Sequence, residues 1–282
     1  MISLPAPHVI TRDVLSCIEE DVKGGDLTAN LIPSNATING KIIARESGVI
    51  CGIAWATEAF RLVDDSIEID WQVTDGDEVQ DQSTICLIRG TARTILTAER
   101  QALNLLQTLS GTATVARQYV REIQHTKAKL LDTRKTIPGL RDAQKYAVLA
   151  GGGHNHRMGL YDGILIKENH LRCGKSLPDV VKTALNSVPK GTLVELEVEH
   201  IEQMQQGIDA GIQRVLLDNF SLEELREAVA INNDRIDLEA SGNVSIKTIK
   251  AIAETGVDFI SSGAITKHVR ALDLSLLFDL QL

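Results

Sequence analysis

Aromatic side chains and positive charge are both scarce in this sequence. Phe, Tyr and Trp make up 3% of the 282 residues, and 29 Lys and Arg stand against 38 Asp and Glu, a formal charge of −9. Proteins that bind nucleic acid usually carry a basic surface and aromatic rings on which bases stack. We therefore expect no nucleic-acid partner.

Long hydrophobic runs are also missing. The longest stretch without a charged or clearly polar side chain is Gly48 to Ala56, about half of the roughly 18 residues that a membrane-spanning helix needs. The first fifteen residues include Pro5, His8 and Arg12 and lack the apolar middle of a secretory signal. We expect neither a membrane span nor a secretory signal.

Cysteine is sparse and dispersed. No Cys-x-x-Cys pair is present, so the usual spacing for zinc or redox chemistry is absent. Isolated cysteines are typical of small buried side chains in a reducing compartment, which favours a cytoplasmic location. The four cysteines are Cys17, Cys51, Cys86 and Cys173.

The hydrophobic pattern changes partway along the chain. Short strand-like runs with helical segments come first, and a helical pattern from Thr94 is interrupted at Ser110-Gly111-Thr112. Beyond Lys127, short apolar runs alternate with helical segments, as in repeated βα units around a parallel sheet. This change predicts two domains, residues 1–110 and 111–282.

Six apolar runs in the second part end in polar or charged residues. Functional groups of a (β/α) barrel lie at the carboxyl ends of its strands, so these ends predict one shared pocket. The runs end at Asp132 to Lys135, Lys167, Glu197, Asp218, Ser241 and Ser262.

Glutamates alternate with aliphatic residues in the run from Thr192 to Glu199. A two-residue period places Glu195, Glu197 and Glu199 on one face of a strand. On an edge strand these carboxylates would be solvated. In a barrel strand, which we favour, they would point into the cavity and require a cation or hydroxyl partners.

Positive charge is concentrated between Asp132 and Arg172 in this otherwise acidic chain. Seven Lys and Arg face four acidic residues there, which favours a site for an anionic small molecule. Arg141, Lys145 and Arg172 could simply lie on a solvated helix face. The other four lie at predicted strand ends or after the glycine-rich turn, where a solvated helix face does not explain them. The seven are Arg134, Lys135, Arg141, Lys145, Arg157, Lys167 and Arg172.

The glycine-rich segment from Gly151 to Leu160 permits several interpretations. His154 and His156 could form a metal pair, but no further set of histidine ligands accompanies them. A dinucleotide-binding loop is excluded because the glycines are contiguous. A tight turn that presents His156 and Arg157 to an anion fits best.

Two later turns have the composition of phosphate-binding loops. Ser241-Gly242-Asn243 and Ser261-Ser262-Gly263-Ala264 each follow an apolar strand and precede a helical pattern. Lys167 could alternatively form a Schiff base, as in barrel aldolases. The cations around it favour binding of phosphate or carboxylate instead.

In combination, several segments resemble signature sequences of the quinolinate phosphoribosyltransferase family, over nearly the whole chain. They are Asp26 to Thr28, Glu99 to Asn104, Asp132 to Thr136, Gly151 to Leu160, Ile166 to His170, Glu195 to Val198, Leu217 to Phe220, Glu239 to Gly242 and Thr266 to Asp273.

The resemblance implies a fold and an activity. The fold is an N-terminal α/β sandwich-like domain over residues 1–110 and an incomplete (β/α) barrel over 111–282, whose C-terminal tail packs back on the first domain. The activity is transfer of phosphoribose from phosphoribosyl pyrophosphate to quinolinate with decarboxylation, a step of NAD biosynthesis that uses Mg²⁺. The implied products are nicotinate mononucleotide, pyrophosphate and carbon dioxide, and the implied assembly is a homodimer or higher homo-oligomer with a shared active site.

The resemblance also implies roles for individual residues. Quinolinate would be held by Arg134, His156, Arg157 and Lys167, with Arg100 arriving from a second subunit. Lys135 and His170 would bind pyrophosphate, Glu197 and Asp218 the ribose hydroxyls or Mg²⁺, and Thr133 would also contact substrate. The 5′-phosphate would be held by Ser241, Gly242, Asn243, Ser262, Gly263 and Ala264. The residues expected to act in catalysis are Lys135, Lys167, Glu197 and Asp218.

Other functions remain open from sequence alone. A protein of the same fold could act on a different aromatic acid, or bind sugar phosphates without catalysis. A Schiff-base aldolase is a more remote alternative.

Overall fold

A computed structural model describes residues 2–172 and 176–281 of the chain. The chain folds into two compact units. The first is formed by Met1–Arg117, Ile137–Gly152 and His268–Leu282, and the second by Gln118–Thr136 and Gly153–Lys267. Cys173 lies outside the described residues. The predicted domain boundary between residues 110 and 111 stays a prediction.

The described chain contains strands and helices in mixed order. The strands are β1 Thr37–Ala44, β2 Gly48–Val49, β3 Glu68–Trp71, β4 Glu78–Val79, β5 Thr84–Thr91, β6 Lys129–Leu131, β7 Gly163–Ile166, β8 Leu193–Val198, β9 Arg214–Asp218, β10 Asp237–Ser241, β11 Phe259–Ser261 and β12 Leu274–Gln281. The helices are α1 Pro7–Asp21, α2 Ile53–Val63, α3 Ala92–Ile123, α4 Arg141–Ala150, α5 Glu168–Leu171, α6 Leu177–Ser187, α7 Ile201–Asp209, α8 Leu222–Asn232, α9 Ile249–Ala253 and α10 Ala264–Lys267. Within the described ranges, no helix is both long and apolar enough to cross a membrane.

An antiparallel sheet of the first unit has the strand order β12-β1-β5-β3. The C-terminal strand β12 pairs with β1 along its whole length, from Thr37 opposite Gln281 to Ala44 opposite Leu274. Alternating residues of β1 enter the core, and α2 contributes Trp55, which is fully buried. Burial of this apolar surface is the main favourable term in the stability of the unit.

Helix α3 runs without a break through the predicted interruption at Ser110-Gly111-Thr112, so that prediction was wrong. These small residues allow close packing. The Ser110 hydroxyl accepts a hydrogen bond from the Cys51 amide at 2.9 Å. A Cβ atom at Gly111 would lie 2.1 Å from the Arg270 carbonyl oxygen, so only glycine fits there.

The second unit is built on a parallel sheet of six strands in the order β6-β11-β10-β9-β8-β7. Every neighbouring pair is parallel, and β6 and β7 are the two edges of the sheet as described. The sheet is therefore open over the described residues. Together with the antiparallel sheet of the first unit, it confirms the predicted fold class, an incomplete (β/α) barrel with an N-terminal α/β sandwich-like domain. Helices α6 and α8 begin at serine caps, and the Ser221 hydroxyl at the start of α8 accepts from the Glu224 amide.

The glutamates of β8 do not all reach the interior. Glu195 is fully buried and Glu197 is half-buried, as expected for inward-facing residues two positions apart. Glu199 lies beyond the last residue of β8 and is exposed. The predicted alternation therefore holds for two of the three carboxylates and ends where the strand ends.

Candidate active site

A cavity of about 430 Å³ opens at the carboxyl ends of the parallel strands of the second unit. Ten of its lining residues belong to sites or loops predicted from the sequence: Thr133, Arg134, Lys135, His156, Arg157, Lys167, Glu197, Asp218, Ser241 and Ser261. Three others were not predicted: Leu165, Leu216 and Glu239. The strand ends that the sequence pattern indicated thus meet around one hollow, where such barrels place their chemistry.

Four cations from three chain segments line this cavity. Arg134 and Lys135 follow β6, Arg157 precedes β7, and Lys167 follows it. Burial, and then the positive charge of Arg134, lower the pKa of Arg157, although a guanidinium stays protonated near neutral pH. Like charges held this close favour an anionic ligand, because it relieves their repulsion.

Carboxylates stand beside these cations. The Lys167 ammonium donates to the Glu197 carboxylate on the neighbouring strand. Asp218, at the end of β9, accepts a hydrogen bond from the side-chain Nδ2 of Asn219 at 2.8 Å. Because the Lys167 amine is held as an ion pair, the geometry gives no support to the Schiff-base interpretation.

The turn after β10 has a backbone conformation that can bring its amides close to a ligand. Gly242 has φ +96° and Asn243 has φ +51°, and Asn219 in the turn after β9 has φ +58°. A Cβ atom at Gly242 would lie 2.2 Å from the Asn219 side-chain oxygen. Glycine is therefore required at position 242 by both backbone conformation and space.

The turn after β11 packs against the segment that follows β6. A Cβ atom at Gly263 would meet Lys135 Cδ at 2.8 Å and Thr133 Oγ1 at 3.2 Å. The Ser262 hydroxyl accepts from the Ala264 amide at 3.3 Å, which shapes the start of α10. Glycine at 263 thus lets the Lys135 side chain lie close over the turn.

Two buried glutamates lie behind His156. His156 Nε2 is 2.8 Å from a Glu195 oxygen and 3.6 Å from a Glu239 oxygen, and both carboxyl groups are fully buried. Burial is the main cause that raises the pKa of each glutamate, and the charge of Glu195 further raises the pKa of Glu239.

These three side chains could together hold a metal ion. The ligand atoms of His156, Glu195 and Glu239 lie within 4.8 Å of one another. His154, the other member of the sequence-predicted histidine pair, does not join them. Its backbone instead bridges Leu131 of β6.

Glu239 was not identified as a site residue from the sequence. It belongs to β10, in which Asp237, Glu239 and Ser241 alternate with Leu238 and Ala240. The same two-residue period that singled out the glutamates of β8 would have found it.

Other predicted residues lie away from the lining of this cavity. His170 is in α5, where its Nδ1 accepts from the Lys167 amide at 2.9 Å, and it lines a separate apolar hollow. Arg100 is an exposed residue of α3 in the first unit. Five predicted phosphate-binding residues follow β10 and β11, four of them in turns and Ala264 at the first position of α10: Gly242, Asn243, Ser262, Gly263 and Ala264.

Comparison with known proteins shows matches over both units. The N-terminal domain model of quinolinate phosphoribosyl transferase matches residues 26–110, and the C-terminal domain model matches 112–277. A probable nicotinate-nucleotide pyrophosphorylase (carboxylating) of Bacillus subtilis (strain 168) is 38% identical over 257 residues, 91% of this chain and 89% of that protein. A mitochondrial quinolinate phosphoribosyltransferase (decarboxylating) of Nicotiana tabacum is 40% identical, over 92% of this chain and 78% of that protein.

A solved structure agrees with these matches. The nicotinate-nucleotide pyrophosphorylase from Francisella tularensis superposes with a TM-score of 0.95 and 46% identity, over 99% of both chains. The fold and the cavity define an open-barrel enzyme with a cationic site for anionic substrates. The chain belongs to the quinolinate phosphoribosyltransferase family, as the sequence resemblance predicted.

Proposed function

We propose that this protein transfers phosphoribose from phosphoribosyl pyrophosphate to quinolinate and removes carbon dioxide in the same reaction. The observation that carries the proposal is the meeting of Arg134, Arg157 and Lys167 with the carboxylates Glu197 and Asp218 in one cavity. Quinolinate has two adjacent carboxylates, and a site with several cations matches that charge. The family membership supports the same reaction.

The cations bind and orient the pyridine diacid. Guanidinium groups can hold carboxylates with two parallel hydrogen bonds, so Arg134 and Arg157 would fix both the position and the plane of the ring. The Arg157 guanidinium is itself held by a hydrogen bond from Nη1 to the Gly163 carbonyl at 2.9 Å. Lys167 would add the third positive charge when a substrate carboxylate takes the place of Glu197.

The phosphorylated sugar would lie toward the ends of β9, β10 and β11. The turn around Gly242 can bring backbone amides close to the 5′-phosphate, and Ser262 and Gly263 border the same region. Lys135, packed over Gly263, is placed to neutralise pyrophosphate charge. Glu197 and Asp218 would bind the ribose hydroxyls.

Magnesium fits this arrangement. The ion prefers oxygen ligands and is usually bound by one or two carboxylates together with substrate phosphates. Glu197 and Asp218 are carboxylates on neighbouring strands that line one cavity, and they would hold the ion. When bound, it would neutralise charge on the departing pyrophosphate.

Positioning and electrostatic stabilisation carry the chemistry. The pyridine nitrogen attacks the anomeric carbon of ribose as the bond to pyrophosphate breaks, and nearby carboxylates stabilise the positive charge on the sugar. The ring nitrogen is then a pyridinium. When the bond to the 2-carboxylate breaks, the electron pair stays on the ring carbon beside this positive charge, and a proton then replaces carbon dioxide.

Assembly and location belong to the same proposal. We infer a cytoplasmic homodimer in which Arg100 of one subunit completes the quinolinate site of the other. Arg100 is exposed on α3, as such a role requires. The resemblance of Glu99 to Asn104 to the family supports this assignment.

A direct assay tests the reaction. Purified protein with quinolinate, phosphoribosyl pyrophosphate and Mg²⁺ should form nicotinate mononucleotide and carbon dioxide in equal amounts. Nicotinate in place of quinolinate should react poorly, because it offers one carboxylate instead of two. Absence of both products would refute the proposal, and product only with another aromatic acid would indicate a different substrate.

A further inference from the structure

His156 faces the proposed quinolinate site, yet both of its ring nitrogens are already engaged within the protein. Nδ1 is 2.7 Å from the backbone nitrogen of Arg157, which donates its N–H. Nδ1 must therefore carry a lone pair and no hydrogen. The ring hydrogen is then on Nε2, 2.8 Å from the Glu195 carboxylate that accepts it.

The backbone around this ring is fixed as well. The Asp132 carboxylate accepts from the His156 amide at 2.9 Å and from the Asn155 side-chain amide at 2.6 Å. His156 is 8% exposed at its side chain and Glu195 is fully buried behind it. The imidazole is therefore held from three sides: Glu195 at one nitrogen, the Arg157 amide at the other, and Asp132 at its peptide.

Glu239 adds a second carboxylate to the same wall. Its nearer oxygen is 3.6 Å from His156 Nε2, beyond hydrogen-bond distance, so Glu195 is the acceptor of the ring hydrogen. A metal ion at this cluster would need the Nε2 lone pair, which the hydrogen occupies while the bond to Glu195 exists. The hydrogen-bond pattern thus favours a structural ring over a metal ligand.

We propose that Glu195 and His156 are positioning residues that place Arg157 for quinolinate. The neutral imidazole of His156 links Glu195 to the Arg157 backbone and is not a cationic ligand of the substrate; we call this link the strut. This rests on the proposed function and differs from the sequence resemblance, which implies a direct contact between His156 and quinolinate. The strut joins a buried carboxylate of β8 to the backbone of the residue whose guanidinium lines the cavity. Displacement of a substrate-binding group by about 1 Å can lower the reaction rate by about 100-fold. Accurate placement of the Arg157 guanidinium therefore affects function.

A double-mutant cycle in the full-length protein distinguishes a strut from a ligand. Quinolinate affinity is measured by calorimetry for wild type, His156→Ala, Arg157→Ala and the double variant. We expect His156→Ala to weaken binding about tenfold in wild type and less than about twofold in the Arg157→Ala background, because nothing is left to position. Additive losses would overturn the inference, since they would show that His156 binds the diacid itself.

Conservative variants keep the test valid if an alanine variant folds poorly. Glu195→Gln retains an oxygen that can accept the Nε2 hydrogen and should keep quinolinate affinity within about threefold of wild type, whereas Glu195→Ala should lose about tenfold. Glu199→Gln is the matched control, since Glu199 lies just beyond the same strand and is exposed. Equal losses in Glu195→Gln and Glu195→Ala would contradict the strut.

Nitrogen NMR of histidine-labelled protein shows directly which ring nitrogen carries hydrogen, and it requires no activity assay. The His156 signals, assigned by their loss in His156→Gln, should show hydrogen on Nε2 alone. Hydrogen on Nδ1, or one equivalent of transition metal retained by the purified protein, would overturn the inference. Wild-type protein that does not bind quinolinate at all would refute the proposed function and this inference with it.

Discussion

The ammonium of Lys167 is paired with the carboxylate of Glu197 across the neighbouring strands β7 and β8. Each residue has a separate substrate role in the proposed reaction, Lys167 toward quinolinate and Glu197 toward ribose or magnesium. The pair must therefore separate when both substrates bind. Until then, each side chain neutralises the other and keeps an unpaired charge out of the cavity.

Loss of Lys167 should damage the reaction more than loss of an exposed lysine. Lys167→Ala removes a charge-assisted contact to substrate and leaves Glu197 without its partner. We expect kcat/KM for quinolinate to fall by at least about 30-fold, on the order of 2 kcal/mol. Lys182→Ala, on the exposed side of α6, is the control and should leave kcat/KM unchanged. Equal activity in both variants would remove Lys167 from the site.

Arg134 should contribute to selection of a diacid over a monoacid. Arg134→Ala is expected to weaken quinolinate binding by about 2 kcal/mol, and nicotinate binding by less, because one cation is lost to a ligand that needs several. Calorimetry with both acids measures the ratio. Arg226→Ala, an exposed position on α8, serves as the control. An unchanged ratio in Arg134→Ala would argue against a role in diacid recognition.

Gly242 and Gly191 separate the effect of backbone strain from that of lost space. Both have φ above +90°, but a Cβ atom would clash with Asn219 only at Gly242, and nothing lies within 4 Å at Gly191. Gly191→Ala should lower stability by about 1 kcal/mol and leave KM values unchanged. Gly242→Ala should raise KM for phosphoribosyl pyrophosphate about tenfold or more, measured at saturating quinolinate. Equal KM values for the two variants would refute the assignment of the 242 turn to phosphate.

The buried Glu239 makes stability depend on pH. Burial raises its pKa from 4.5 to about 8, with Glu195 adding to the rise and His156 and Arg214 opposing it. The folded state thus binds this proton more tightly than the unfolded state. The stabilisation that protonated Glu239 gives the folded state is complete below about pH 4.5 and is lost as pH rises through 8.

Glu239→Gln removes this titration while nearly preserving side-chain volume. The decline of melting temperature between pH 5 and pH 9 should therefore be smaller in Glu239→Gln than in wild type. Thermal unfolding at a series of pH values measures the difference. Parallel curves for the two proteins would show that Glu239 keeps an ordinary pKa.

The periodic features of the chain were predictable from sequence. The two-residue alternation on β8 placed Glu195 and Glu197 inside, and the six polar strand ends predicted the shared cavity, because a parallel sheet gathers its carboxyl ends at one edge. The helix break predicted at Gly111 was wrong because tertiary packing, and not a local interruption, requires the glycine. Local sequence suggested an interruption, whereas close packing of Gly111 against the Arg270 carbonyl requires a small residue within a continuous helix.

Specific pairings were beyond the reach of sequence. That Lys167 would pair with Glu197, or that the Nδ1 of His156 would accept from the next residue's amide, depends on side-chain geometry fixed by tertiary packing. Glu239 was missed although its strand shows the same alternation as β8. His170 was expected to bind pyrophosphate, which stays a prediction; sequence did not indicate that its Nδ1 would accept from the Lys167 amide at the start of α5.

A crystal structure of the protein soaked with quinolinate tests the central claim most directly, which is that cations from separate segments converge on a pyridine diacid. We predict the two carboxylates within hydrogen-bond distance of Arg134, Arg157 and Lys167, with the Lys167 ammonium released from Glu197 and the imidazole of His156 still bound to Glu195. Quinolinate bound elsewhere, with these three side chains making no contact to it, would contradict the account.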